Sequence, residues 1–162
     1  MIDFPTNLAE FLLRPLLAIV CGGVLGWERE SADKPAGLRT MMMVALGSAG
    51  FTSVVFWLYD GIAAAGGATR VDPIRIVEGV AGGIGFLGAG SIIQSRGSVQ
   101  GITTAATIWV VGAIGVACGV GQYLIALVLT SYGWIILRLL GRVQYRMRTK
   151  DSEDVHDDGG IE

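Results

Sequence analysis

Three ionisable residues recur at three-residue steps at the head of an apolar stretch: Asp72, Arg75 and Glu78. On a helix, residues three apart lie on one face, so the three can meet around the helix start. Two chemistries are open to them. One is an ion-pair network that anchors the helix. Arg75 is disfavoured by the dipole of a helix N-terminus and needs a carboxylate beside it. The other is a mouth that attracts cations. Carboxylate oxygens suit a hard ion such as Mg²⁺, which makes Asp72 and Glu78 the candidate metal ligands. Glu78 shares its face with Gly82, Gly85 and Ala89, so its carboxylate would sit over a stripe of small residues.

A second constellation is Trp27-Glu28-Arg29-Glu30, followed by Lys34-Pro35-Ala36-Gly37-Leu38-Arg39-Thr40. Its charged members are Glu28, Arg29, Glu30, Lys34 and Arg39. It reads either as ordinary basic loop chemistry or as a defined charged turn. The mixed signs and the Pro and Gly favour a turn. Thr103, Thr104 and Thr107 open a later apolar run; their hydroxyls either bond back to their own helix or line a polar path. Glycine makes up 25 of 162 residues, about twice ordinary usage. Gly79, Gly82, Gly83, Gly85, Gly88 and Gly90 crowd one stretch, and Gly22/Gly26, Gly79/Gly83 and Gly115/Gly119 are spaced for close helix approach. The glycines serve either tight helix packing or a weakened, close-packed segment beside a polar cavity.

Other chemistry is not expected. Cys21 and Cys118 lie in apolar runs and behave as small hydrophobes; His156, the one histidine, lies near the C-terminal end, so no zinc site can be assembled. No nucleophile–base pair, phosphate loop or metal cage is visible. The sequence predicts no enzyme and no cofactor, with Mg²⁺ as the ion to be bound or carried if there is one. Arg138, Arg142, Arg146, Arg148 and Lys150 follow an apolar run and suit anionic lipid rather than nucleic acid.

The elements that position these groups are membrane spans. No charge occurs for 20 residues from Thr40 to Tyr59, or for the 41 residues between Arg96 and Arg138. A span needs about 20 apolar residues. The sequence therefore predicts an all-α polytopic membrane protein with about five spans, near 8–27, 40–59, 76–93, 102–118 and 122–140. The i,i+4 pair Glu10 and Arg14 falls near one end of the first span, where both can snorkel to headgroups. Asp72-Pro73 reads as an N-cap and first helical position. Gly119-Val120-Gly121 breaks the long apolar run. Residues 1–141 form the transmembrane domain; 142–162 are a tail, basic and then acidic, expected to be disordered. The first ten residues lack the cationic start of a cleaved signal peptide. Lys and Arg divide nine to three between the two sides, which places the N-terminus outside and the C-terminus in the cytoplasm. A short internal repeat relates Gly23–Gly26 and Gly37–Thr40 to Gly85–Gly88 and Gly101–Thr104.

Along these segments the chain resembles the MgtC/SapB family of bacterial membrane proteins. The resemblance is carried by GWERESADKPAGLRT (26–40), LGSAG (46–50), DPIRI (72–76), GIGFLGAGSI (83–92) and GITTAATIWVVGAIG (101–115), in that order. It implies a multi-pass inner-membrane protein linked to magnesium homeostasis, survival at low magnesium and, in pathogens, virulence. It also implies a regulator that binds other membrane proteins, the F-type ATP synthase among them; magnesium transport is the alternative. The motif residues it carries over are Glu28, Arg29, Glu30, Lys34, Arg39, Asp72 and Arg75. Longer members carry an ACT-like domain after the last span. Only about twenty residues follow Leu140 here, so a short SapB-like form is expected. The small-residue faces suit a homo-oligomer.

Overall fold

A computed structural model describes residues 8–64, 72, 74–95 and 98–157. Five helices and one short hairpin follow one another: α1 (Leu8–Ser31), α2 (Leu38–Ala64), α3 (Ile74–Gly90), β1 (Ile93–Ser95), β2 (Ser98–Gln100), α4 (Ile102–Val120) and α5 (Tyr123–Asp157). Pro73 and Arg96, named above, lie outside the described residues.

Helix ends follow local chemistry. Asp72 Oδ1 accepts the Ile74 N–H at 2.9 Å, the expected N-cap. α4 stops at Gly121, which takes φ 86°. There the Gly121 N–H bonds the Cys118 carbonyl and the Gln122 N–H the Ala117 carbonyl, the paired closure typical of a left-handed cap. α1 ends with the same wiring: the Asp33 N–H bonds Glu30 O and the Lys34 N–H bonds Arg29 O. Asp33 takes the left-handed conformation at φ 53°, which an aspartate tolerates better than most residues.

Two features differ from the sequence expectation. The third span ends at Gly90, and Ile93 enters an antiparallel hairpin with Ile93 opposite Gln100. Ser98-Val-Gln alternates in polarity, and Ile93 and Val99 are β-branched, which suits a strand pair. The tail expected to be disordered continues α5 as far as Asp157. Beyond Gly141 that stretch has no glycine or proline before Gly159 and begins with Arg142, Gln144, Arg146, Met147 and Arg148, all good helix formers.

The centre of the bundle is α1, α2 and α4. Ala18, Cys21 and Leu25 meet Met41, Ala45 and Ala49 and then Ile108, Val111, Ile114 and Cys118. α3 leans on α4, and α5 on α4 and α1. Small residues make this approach possible. A β-carbon on Gly22 would stand 2.8 Å from Met41 O; on Gly26, 2.7 Å from Leu38 Cα; on Gly119, 2.7 Å from Ala49 O. Two of the three predicted glycine pairs therefore seat α1 and α4 against α2.

Large apolar side chains point outward on every helix, among them Phe11, Leu16, Phe51, Trp57, Phe86, Trp109 and Leu124. Three helices are long and apolar enough to cross a membrane: 24 residues in α1, 22 from Leu38 to Tyr59, and 19 in α4. α3, with 17 residues, and Tyr123–Leu139 of α5 are shorter, at the lower end of the spanning range of about 17–25 residues. Arg138 stacks on Trp134 at 5.6 Å, a cation and an aromatic ring suited to a membrane interface. The protein is an all-α polytopic membrane protein.

Candidate functional site

The antiparallel order of the helices gives the bundle two ends. One gathers the α1–α2 turn, the end of α3, the hairpin and the start of α4; the other gathers the start of α1, the start of α3 and the end of α4. The two charged constellations fall at opposite ends.

At the turn end the sequence motif is assembled. Glu30 reaches across the turn and accepts the Leu38 N–H at 2.7 Å, capping α2 from the preceding helix. Gly37 permits this: a β-carbon there would lie 2.7 Å from Glu30 Oε2. Arg29 is turned inward and only 5% exposed. Its Nη2 donates to Thr104 Oγ1, on the first turn of α4. Arg29 Nε and the neighbouring Glu28 Oε2 are both buried with no hydrogen-bond partner. Lys34 and Arg39 face outward. The three threonines separate: Thr103 is exposed, Thr104 holds Arg29, and Thr107 donates back to Thr103 O at 2.7 Å. Beside this end an open apolar groove of about 350 Å³ runs between Thr40 and Val44 on one side and Phe86 and Ile108 on the other.

At the opposite end Arg14 corrects one expectation. It does not snorkel: it is 4% exposed and its Nη1 donates to the Gly119 carbonyl at 3.1 Å. A guanidinium at the last turn of α4 answers the free carbonyls and the negative end of that helix. Ser53 Oγ approaches the same carbonyl at 3.5 Å. Asp72, Arg75 and Glu78 are all exposed. Beyond the Asp72 cap, no ion pair joins these three, and no group of three metal-ligating side chains exists among the described residues. Their side chains do not converge within one chain.

α3 itself is half unpartnered. Ile84 and Gly88 are its buried residues, and Gly88 faces Ala105. Around the remaining surface a β-carbon on Gly79, Gly82, Gly83, Gly85 or Gly90 would meet nothing within 4 Å. Phe86 on that surface is 82% exposed. The glycines that the sequence assigned to packing thus remain uncovered, with Arg75 and Glu78 at their head.

Sequence reasoning missed the inward turn of both arginines. The signal was present: Arg14 and Arg29 lie 15 residues apart on α1, close to four turns of a 3.6-residue helix, so they share a face.

The family model described as "MgtC family" matches residues 16–146. The chain belongs to the MgtC family. Among relatives, the Escherichia coli K12 protein named "Putative magnesium transporter YhiD" is 35% identical over 88% of this chain and 66% of its own length. Protein SrpB of Synechococcus elongatus is 39% identical over 81% of this chain and 75% of its own. Protein MgtC of Salmonella typhimurium is 38% identical over 80% of this chain and 50% of its own. The chain therefore spans just under two thirds of YhiD and half of MgtC. No solved structure matches it. Every element described here within 16–146, including α3 and the α1–α2 turn, falls inside the MgtC match.

Proposed function

We propose that this MgtC-family chain is a magnesium-linked regulator that works by packing against other membrane proteins through the open face of α3. One observation carries the reading: at five of the six glycines of α3 an added β-carbon would meet nothing within 4 Å among the described residues. Without a hydrophobic force between helices in lipid, small residues are what let two backbones come close. An open run of them, headed by Arg75 and Glu78, suits a partner helix with its own charged end. The interior argues the same way. Among the described residues the charged side chains buried as whole residues are two arginines, Arg14 and Arg29, with one buried carboxylate oxygen, that of Glu28, near the second; buried guanidinium groups do not make a path for a divalent cation. On this reading the chain lies in the bacterial inner membrane with its N-terminus outside and the turn end in the cytoplasm. It adapts the cell, or a pathogen in its host, to low magnesium. Its partners are integral membrane proteins such as the F-type ATP synthase, or further copies of itself.

Gly79→Leu and Gly83→Leu test this. The space around both positions is empty, so the fold should survive while co-purification with membrane partners and growth at low magnesium are lost. Wild-type behaviour in both variants would remove α3 from the account. A second reading, Mg²⁺ transport, is favoured by the name of the Escherichia coli relative. It would use exposed Asp72 and Glu78 at the mouth of a path formed between chains, and it predicts flux that Glu78→Gln abolishes.

A further inference from the structure

We infer that the first turn of α4, together with Arg29 and Glu28, forms a binding site for a protonated phosphate group. The site lies at the turn end, away from the α3 face.

Four observations converge there. Arg29 is 95% buried; its Nη2 donates to Thr104 Oγ1, while its Nε has no acceptor among the described residues. A guanidinium placed so deeply with so few partners is aimed at something that accepts hydrogen bonds. Its partner, Thr104, is the third residue of α4 and is itself 1% exposed. The start of α4 is bare: its N-cap is Gly101, no side chain caps it, and no acid occupies its first turn. The N–H groups of Ile102, Thr103 and Thr104 therefore have no intrahelical acceptor, and the helix dipole adds positive potential at that point. Finally, Glu28 Oε2 is buried with no donor. Glu30, the other acid of the motif, is committed to the cap of α2.

The Glu28 carboxylate decides the ligand class. A fully deprotonated oxyanion would satisfy Arg29 and the helix but would face Glu28 with no proton to share. A ligand without acceptor oxygens would leave the Arg29 Nε–H unanswered, since Glu28 offsets the charge of Arg29 without bonding that nitrogen. A hydrogenphosphate or phosphomonoester at neutral pH offers both functions. Its bare oxygens accept from Arg29 Nε–H and the N–H groups of α4, and its P–OH donates to Glu28 Oε2. Sulfate and the phosphodiesters of common lipids carry no such proton. The phosphate can come from solution as inorganic phosphate, or from a phosphomonoester lipid headgroup, since the site lies at the end of a spanning helix.

The test uses the full chain. Binding of inorganic phosphate and of sulfate to detergent-purified protein is measured by calorimetry at pH 7, and thermal shifts are compared in nanodiscs containing phosphatidic acid or phosphatidylglycerol. The expected result is saturable phosphate or phosphatidic acid binding, with the deprotonated counterpart at least tenfold weaker. Glu28→Gln, which keeps the shape and removes the charge, should bring sulfate to within about threefold of phosphate. Arg29→Lys should weaken phosphate at least tenfold; if that variant does not fold, the Glu28→Gln comparison stands alone. Binding in only the soluble or only the lipid arm supports the site and identifies its source. No binding in either arm, equal binding of sulfate and phosphate by the wild type, or unchanged discrimination in Glu28→Gln would each overturn the proposal.

Discussion

Two pairs of glycine-to-alanine substitutions separate the glycines that hold this chain together from those left open. In Gly22→Ala/Gly26→Ala each added methyl meets α2: 2.8 Å from Met41 O and Ala45 Cβ at the first position, 2.7 Å from Leu38 Cα at the second. Apolar contacts settle at about 3.5–4.0 Å, so α1 and α2 must part by roughly 1 Å along their seam. Overpacking of this kind costs about 1–3 kcal/mol per site, or about 2–6 kcal/mol for the pair. In Gly82→Ala/Gly83→Ala the methyls enter open space. Alanine is also the better helix former by about 0.8–1.0 kcal/mol per site. That gain applies to both pairs, so their difference isolates packing. The assay is reversible SDS or urea unfolding in micelles, read by the fluorescence of the four tryptophans. The α1 pair should fall below the α3 pair by at least about 2 kcal/mol, roughly thirtyfold in the unfolding equilibrium. Equal stabilities, or a larger loss from the α3 pair, would refute the assignment of inner and outer glycines.

Other predictions follow from single contacts. Thr104→Val removes the one hydroxyl bonded to buried Arg29 and should cost about 1–3 kcal/mol, whereas Thr104→Ser should unfold close to wild type. Glu30→Ala deletes the cap on Leu38 and should cost about 1 kcal/mol. Because Gly37→Ala acts by displacing the same carboxylate, it should add little on the Glu30→Ala background, a coupling that a double-mutant cycle would read directly.

Most of the fold was legible because charge-free runs have few meanings at this length. Thr40–Tyr59 could only be a span, and Gly119–Gly121 broke the last long run where the helix does end. The N-cap at Asp72 was legible for the same local reason. Pairing between helices was not. Gly22 and Gly83 sit in similar glycine patterns, yet one is pressed against α2 and the other open, since which face a neighbour covers is set by the whole bundle. The motif from Glu28 to Arg39 was visible as a charged turn, but its division of labour was hidden. Two consecutive residues point opposite ways: Glu30 outward, capping the next helix, and Arg29 inward to Thr104, 75 residues away. Asp72, Arg75 and Glu78 looked convergent because their spacing allows it; exposed at a helix end, nothing in the chain draws them together.

The reading of this chain as a regulator rather than a conductor meets its most direct test in proteoliposomes. Purified protein alone is reconstituted under a Mg²⁺ gradient with an entrapped indicator. The account predicts flux no greater than in protein-free liposomes, for the wild type and for Glu78→Gln alike. A Mg²⁺ flux carried by the wild type and abolished by Glu78→Gln would contradict it.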